Sequence, residues 1–162
     1  EVAMRTYQVA EICPNGHVTT SAANLNPELR EKFCSQCGEP TTTQCPNCQA
    51  TIRGRYDVPQ VIGLFHYSPP AHCHNCGSAF PWTARKVDSA VELVEVAEGL
   101  SSDELQQFRA DLTELTKDSP KTQVASLRFK KVMSKVGNSV ASGVRDIVVD
   151  VLSEAAKKAI WG

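Results

Sequence analysis

The spacing of the cysteines constrains this chain more than any other feature of its sequence. Seven cysteines lie between positions 13 and 76, and the last 86 residues contain none. Six of them form three C-x-x-C pairs, a spacing in which a tight turn directs two sulfurs at one metal ion. The pairs are Cys34 with Cys37, Cys45 with Cys48, and Cys73 with Cys76. The first half of the chain is therefore predicted to fold around metal.

The remaining cysteine, Cys13, has no cysteine partner nearby. Asn15-Gly16 is a strong hairpin-turn signal, and such a turn would fold His17 back beside Cys13. Histidine is an ordinary zinc ligand, so seven cysteines and His17 supply eight ligands for two closed Zn²⁺ sites. Sequential pairing would place Cys13, His17, Cys34 and Cys37 in the first site, and Cys45, Cys48, Cys73 and Cys76 in the second. A cross-braced pairing is the alternative, but sequential pairing would make each half a self-contained ribbon.

Both predicted sites are structural. A catalytic zinc keeps one coordination position open and commonly has a general base nearby, whereas these sites are saturated by protein. The sequence contains no H-E-x-x-H, G-x-S-x-G, P-loop or G-x-G-x-x-G motif. His72 and His74 flank Cys73, but four thiolates already complete that site. We therefore predict no catalytic residues and no enzymatic activity. Buried apolar thiols or redox-active pairs are the less favoured interpretation of the cysteines.

The predicted fold class is α+β, with tandem small zinc ribbons followed by a helical region. Residues 4–42 would form the first ribbon and residues 43–86 the second, built from short strands at 7–12, 18–21, 51–56 and 61–67. Residues 87–162 show helical periodicity. Met4 is the expected start of the native chain, and neither a signal peptide nor an apolar run of about 18 residues follows it. We expect a cytoplasmic location, because paired cysteines more often hold metal in a reducing compartment.

The insertion between Cys48 and Cys73 is the best candidate for a binding surface. Its basic and aromatic residues, together with Trp82, could stack on single-stranded nucleic acid. They are Arg53, Arg55, Tyr56, His66 and Tyr67. The favoured alternative is that the aromatic residues pack the small core and the arginines are solvated. Residues 1–86 have seven Lys and Arg against six Asp and Glu, a weak charge excess for a nucleic-acid-binding domain.

Several of these stretches resemble a bacterial family of zinc-ribbon proteins known only as a domain of unknown function. The resemblance covers residues 7–84 well, and the helical part matches only in general organisation. It is carried by Cys13-Pro14-Asn15-Gly16-His17, Cys34-Ser35-Gln36-Cys37-Gly38, Cys45-Pro46-Asn47-Cys48, Ile52-Arg53-Gly54, Cys73-His74-Asn75-Cys76-Gly77 and Pro81-Trp82-Thr83. The resemblance implies metal binding and a bacterial origin. It brings no established activity and no catalytic residues.

The helical half shows a capping box, an apolar stripe and segregated charge. Ser101 and Glu104 predict a helix start, and Leu105, Phe108, Leu112 and Leu115 follow at helical spacing. Residues 87–118 carry nine acidic and two basic residues, whereas residues 119–145 carry six basic residues and none acidic. Antiparallel packing of the two segments is favoured. The alternative is that basic residues, including Lys130 and Lys131, attract an outside anion.

These features together predict a non-catalytic adaptor. The ribbons would bind a protein partner of unknown identity, and residues 87–162 would make the chain a homo-oligomer. A nucleic-acid-binding zinc ribbon is the alternative, and it is less favoured. Membrane binding is not expected, because the formal net charge is only −1 and the last helical segment carries charges of both signs.

Overall fold

The computed structural model describes residues 6–61 and 66–162. Its short antiparallel sheets followed by helices confirm the α+β fold class. The strands are β1 (Thr6–Val9), β2 (Glu11–Ile12), β3 (Val18–Thr20) and β4 (Arg53–Asp57). The helices are α1 (Pro81–Val96), α2 (Ser102–Leu115), α3 (Thr122–Val136), α4 (Asn138–Val148) and α5 (Glu154–Trp161). The chain divides into two compact units, the ribbon unit Glu1–Trp82 and the helical unit Thr83–Gly162.

Two small antiparallel sheets organise the ribbon unit. β2 pairs with β3, with Ile12 opposite Val18 across the predicted Asn-Gly turn. β1 pairs with β4, with Tyr7 opposite Tyr56. The predicted strand at 7–12 is therefore divided into two strands that belong to different sheets. The predicted strand at 61–67 falls largely outside the described residues.

The pairing of β1 with β4 joins the two cysteine-rich segments, which we had expected to be self-contained. The backbone N–H of Ala10 donates to the carbonyl oxygen of Ile52 at 2.9 Å. Within the first segment, the backbones of Ile12 and Thr42 exchange two hydrogen bonds, each 3.0 Å long. Ile12 and Ile52 have no exposed surface. The ribbon unit thus has one small core that both segments share.

Gly54 lies where two stretches of backbone come too close for any side chain. A Cβ atom at this position would lie 2.0 Å from the carbonyl oxygen of Ser21 and 3.0 Å from the backbone nitrogen of Ala10. The Arg55 N–H donates to the same Ser21 oxygen at 3.0 Å. Glycine is required here because it permits close backbone approach.

The helical unit is built around the stripe that the sequence predicts. The Ser101 side chain accepts from the Glu104 backbone N–H, and the Glu104 carboxylate accepts from the Ser101 N–H, so the predicted capping box is formed. Phe108, Leu112 and Leu115 are buried. The ring of Phe108 stacks on Phe129 of α3 at 6.0 Å between centroids. This aromatic contact is part of the packing between α2 and α3.

A second set of apolar residues at helical spacing runs from Met133 to Val151, and the structure divides it between α3, α4 and the residues after α4. Gly137 separates α3 from α4, and its φ of 86° lies in the left-handed region that favours glycine. α4 ends at Val148, inside the β-branched run 147–149. Among the described residues, no helix combines the length and the hydropathy needed to cross a membrane.

The opposite charges of α2 and α3 meet, as the antiparallel interpretation predicts. The Arg128 guanidinium donates to both carboxylate oxygens of Asp111, which is 3% exposed, at 2.9–3.1 Å. Lys135 donates to Glu104 about two turns further along at 2.6 Å. Within the described part of the chain, Lys130 and Lys131 are exposed and form no ion pair. The internal pairing therefore uses only part of the basic segment.

Candidate metal centres

The structure brings the eight predicted ligands together in two groups. The first tetrad is Cys13, His17, Cys34 and Cys37, and the second tetrad is Cys45, Cys48, Cys73 and Cys76. Within each tetrad the ligand atoms all lie within 4.8 Å of one another. The grouping is sequential, and the cross-braced alternative is not formed.

The distances inside the tetrads match tetrahedral coordination. Bonds of about 2.3 Å to sulfur and about 2.05 Å to nitrogen would place two sulfurs about 3.8 Å apart, and a sulfur about 3.5 Å from a nitrogen. The Sγ atoms of Cys45 and Cys76 are 3.8 Å apart, and those of Cys48 and Cys73 are 3.7 Å apart. His17 Nδ1 lies 3.5 Å from Sγ of both Cys13 and Cys34. A disulfide would need about 2.0 Å, and all seven cysteines are free.

Each C-x-x-C pair forms the same backbone turn. The N–H of the residue after the pair donates to the carbonyl oxygen of the first cysteine at 2.8–2.9 Å. These donors are Gly38, Gln49 and Gly77, with φ of 77°, 63° and 75°. Glycine adopts this conformation without strain, whereas Gln49 has a Cβ atom and pays about 1 kcal/mol. The turn therefore explains the glycine that follows two of the three pairs.

The turn that carries Cys13 is similar to the three C-x-x-C turns but is one residue longer. Gly16 N–H donates to the Cys13 carbonyl oxygen at 2.9 Å, and the Gly16 φ is 89°. Cys13-Pro14-Asn15 matches Cys45-Pro46-Asn47, but one extra residue precedes the second ligand. His17 is half-buried like Cys48, the second ligand of the other tetrad. Histidine thus occupies the position that a cysteine occupies in the second tetrad.

Sequence reasoning missed a set of asparagines that donate to the ligand sulfurs. The side-chain amide of Asn47 donates to Cys76 Sγ at 3.4 Å, and that of Asn75 donates to Cys48 Sγ at 3.5 Å. Each amide thus reaches from its own turn to a thiol of the opposite turn. Asn15 makes the corresponding side-chain hydrogen bond to Cys37. The available signal was an asparagine two positions after the first cysteine in three of the four ligand turns.

Hydrogen bonds and burial shift the pKa values of several of these thiols in opposite directions. The Asn47 amide, with Ser78, lowers the pKa of Cys76 to about 6, and the Asn75 amide lowers the pKa of Cys48. The Glu39 backbone N–H, with Asn15, lowers the pKa of Cys37 to about 6. Burial raises the pKa of Cys45 to about 11 and also raises that of Cys13. Each tetrad therefore combines an exposed cysteine that readily ionises with a buried one that a cation would have to deprotonate.

The donor set of each tetrad fits a tetrahedral metal ion. Four protein ligands converge in each group, and amide donors stabilise the exposed sulfurs as thiolates. A metal ion bound there would cross-link two backbone turns that are distant in sequence. The ion would thereby supplement a core that contains few large apolar side chains.

The predicted binding residues of the insertion line one cavity in the ribbon unit. Its volume is about 570 Å³, and its lining includes all five of the candidates Arg53, Arg55, Tyr56, His66 and Tyr67. Tyr7 of β1, which sequence reasoning did not select, also lines it. The Tyr67 hydroxyl donates to the Arg53 carbonyl oxygen at 2.6 Å, and burial raises the pKa of Tyr67.

The other predicted surface residues lie elsewhere. Trp82 is 2% exposed, so its assignment to the binding surface is wrong. Its ring stacks on Phe80 at 4.5 Å, and its indole N–H donates to the Pro70 carbonyl oxygen at 2.9 Å. Trp82 is a core residue because its large apolar ring is one of the few available to this unit. Lys130 and Lys131 belong to α3 of the helical unit.

The fold and the tetrads define a class of protein that combines two tetrads of potential metal ligands, carried by turns beside short β-strands, with a bundle of short helices. The chain belongs to a family described as uncharacterised proteins conserved in bacteria, DUF2321, whose match spans residues 6–160. The match extends through the helical unit, well beyond the stretch on which the sequence resemblance rested. Comparisons with curated proteins and with solved structures found no match.

Proposed function

We propose that this protein is a zinc-binding adaptor without catalytic activity. The ribbon unit holds two structural Zn²⁺ ions and binds a protein partner, and the helical unit mediates self-association. The observation that carries the proposal is the closure of both tetrads. Each supplies four protein ligands, and asparagine amides donate to the sulfurs of the exposed Cys37 and Cys76 and of the half-buried Cys48.

Zinc is the metal that suits both donor sets. Tetrahedral sulfur sites hold zinc or iron, and zinc also accepts three thiolates with one imidazole. Elemental analysis of the purified chain should find two zinc ions per chain. Stoichiometric iron with a coloured thiolate-to-iron absorption band would contradict this assignment.

The absence of catalysis is proposed because neither tetrad leaves a ligand position for water or substrate. Cobalt substitution tests this directly, since the visible spectrum of Co²⁺ reports its coordination. We expect a tetrahedral thiolate spectrum that does not change on addition of azide. An azide-dependent change would indicate an open position and would favour a catalytic site.

Self-association is proposed because α3 exposes apolar side chains. Val124 and Leu127 are 44% and 60% exposed on this helix. Light scattering should detect a dimer or larger species at micromolar concentration, and Leu127→Glu should shift it towards monomer. The matched control is Val96→Glu, since Val96 is 80% exposed at the end of α1. A wild-type monomer, or equal effects of both substitutions, would contradict the assignment to α3.

A reducing, cytoplasmic location is part of the proposal. Seven cysteines without a disulfide suit a compartment in which thiols stay reduced and hold metal.

Nucleic-acid binding is the competing function, and the cavity with Arg53 and its aromatic neighbours is the surface it would use. Affinity for DNA or RNA would then fall steeply as salt rises, because bound counterions are released.

A further inference from the structure

We propose that the cavity of the ribbon unit is a docking site for an acidic peptide segment of the protein partner. A carboxylate of that segment binds Arg53, and an adjacent aromatic or apolar side chain packs against Tyr7 and Tyr56. This inference rests on the proposed adaptor function, and it assigns the partner surface and its chemistry.

The size and lining of the cavity suit a single side-chain group with its neighbouring backbone. A volume of about 570 Å³ is within the range of about 300–1,000 Å³ that is typical of ligand pockets. Among the described residues, its lining contains three tyrosines, two arginines and three histidines, and no aspartate or glutamate. Such a lining attracts an anion and offers apolar surface beside it.

Arg53 is the cation available to that anion. Its guanidinium carbon lies 4.4 Å from the centroid of the Tyr7 ring, and it forms no ion pair within the described residues. Arg55 differs, because its Nε donates to Asp57 Oδ1 at 2.9 Å. The other oxygen of Asp57 accepts from the Gln8 amide at 2.7 Å. Stacking on Tyr7 orients the Arg53 guanidinium before binding, which reduces the entropic cost of a bidentate contact with a carboxylate.

The aromatic surface beside Arg53 is held by the strand pairing. Tyr7 and Tyr56 lie opposite each other on β1 and β4, and their ring centroids are 4.8 Å apart. They are 48% and 42% exposed, although each is a large aromatic residue in a small unit. Exposed tyrosines on a fixed backbone provide contact area with little loss of side-chain entropy.

Charge favours a peptide over a nucleic acid. Residues 1–86 have only one more basic than acidic residue, and zinc-loaded tetrads would add about −1 and about −2 through their thiolates. The zinc-loaded ribbon unit would therefore not attract a long polyanion, whereas Arg53 still attracts one carboxylate at short range. A phosphorylated peptide fits less well, because phosphate recognition usually relies on clusters of arginines.

The test uses the full zinc-loaded chain, labelled with ¹⁵N, and three probes. These are the capped tetrapeptide Glu-Phe-Glu-Phe, its counterpart Lys-Phe-Lys-Phe, and a short oligothymidine. We expect saturable shifts of the Tyr7, Arg53 and Tyr56 amide signals with the acidic peptide alone. Arg53→Gln should weaken this binding about tenfold or more, because it removes a charge-assisted hydrogen bond.

Two matched pairs of variants separate local recognition from general charge and from folding. Lys32→Gln removes the same charge from a residue that does not line the cavity, and it should leave the affinity unchanged. Tyr56→Ala should weaken binding, whereas Tyr56→Phe should retain it. The zinc content of each variant shows that the unit remains folded.

Three outcomes would overturn the inference. They are no saturable shift with the acidic peptide, equal shifts with the lysine peptide, and equal losses from Arg53→Gln and Lys32→Gln. Stronger binding of oligothymidine to the same amides would identify a nucleic-acid surface instead. Failure here leaves the adaptor function testable, since a partner held through another surface would still bind the Arg53→Gln chain.

Discussion

The ribbon unit and the helical unit have similar lengths but are stabilised in different ways. The ribbon unit buries few large side chains, and four of its seven cysteines are among its buried residues. The helical unit buries large apolar side chains of both α2 and α3, including Phe108, Leu112 and Phe129. A segment rich in turns cannot bury enough apolar surface to be stable by itself, so metal cross-links are expected to supply the missing stabilising free energy. The two units should therefore respond to different perturbations.

Metal removal is expected to have the largest effect. Structural zinc contributes about 10–16 kcal/mol in small zinc-dependent domains, which is comparable to the whole stability of an ordinary domain. A chelator should therefore unfold residues 6–82 and leave the helical unit folded. Hydrogen exchange of the full chain should show loss of protection confined to the ribbon unit. Cys45→Ser should reproduce the loss, and persistent protection in the apo-protein would contradict the structural role of the metal.

Phe129→Ala should destabilise the helical unit and leave the ribbon unit folded. Phe129 is 1% exposed and lies between the rings of Phe108 and Trp161, at 6.0 Å and 6.1 Å. Truncation of a buried phenylalanine costs about 3–5 kcal/mol, so urea should unfold the helical unit at a lower concentration. Zinc content should stay at two ions per chain. Val96→Ala at the end of α1 is the control, since Val96 is 80% exposed and its truncation should change stability by less than about 0.5 kcal/mol.

Gly54→Ala tests, within the ribbon unit, how much stability depends on the close approach of two stretches of backbone. The new Cβ atom would meet the Ser21 carbonyl oxygen at 2.0 Å, so we expect a cost of about 3 kcal/mol. Gly38→Ala is the matched control, because its φ is 77° but no atom lies within 4 Å of the added Cβ. That substitution should cost about 1 kcal/mol from backbone strain alone. Thermal melting in excess zinc measures both, and equal shifts would show that the close approach is not the cause.

Asn47→Ala should have the smallest effect of these changes, and the property it affects is the retention of metal. Loss of the hydrogen bond to Cys76 Sγ should weaken zinc affinity about tenfold, or about 1.4 kcal/mol. Competition with a chromophoric chelator measures this change. Gln49→Ala is the control from the same turn, because its amide donates to the Pro46 carbonyl oxygen at 3.2 Å instead of to a sulfur. A similar loss in both variants would mean that the amide acts on the turn and not on the thiolate.

Local patterns predicted a large part of both units. The spacing of ligands within a turn, the capping box at Ser101 and the stripe on α2 each depend on residues a few positions apart. Such features can be predicted because backbone geometry relates neighbouring residues in a fixed way. The charge segregation also predicted that the acidic and basic segments pack together, and the Asp111–Arg128 contact is one pair that this packing forms.

Non-local features were missed because they depend on which turns face each other. Trp82 was a candidate for the binding surface, with core packing as the favoured alternative, and its contacts with Phe80 and Pro70 place it in the core. Tyr7 was not selected, because only the pairing of β1 with β4 brings it beside Arg53. The asparagine donors escaped notice for the same reason, since each reaches a sulfur from the opposite turn.

The sequence by itself determined the ligands, the helical stripe and the separation of charge, because these depend on residue type and short-range spacing. The tertiary structure alone decided that the tetrads are sequential, that β4 pairs with β1 and that the amides of Asn47 and Asn75 are exchanged across the second tetrad. The physical reason is that a turn presents the same donors wherever it is placed. Long-range backbone pairing decides which two turns face each other. In this chain that pairing also creates the cavity around Arg53.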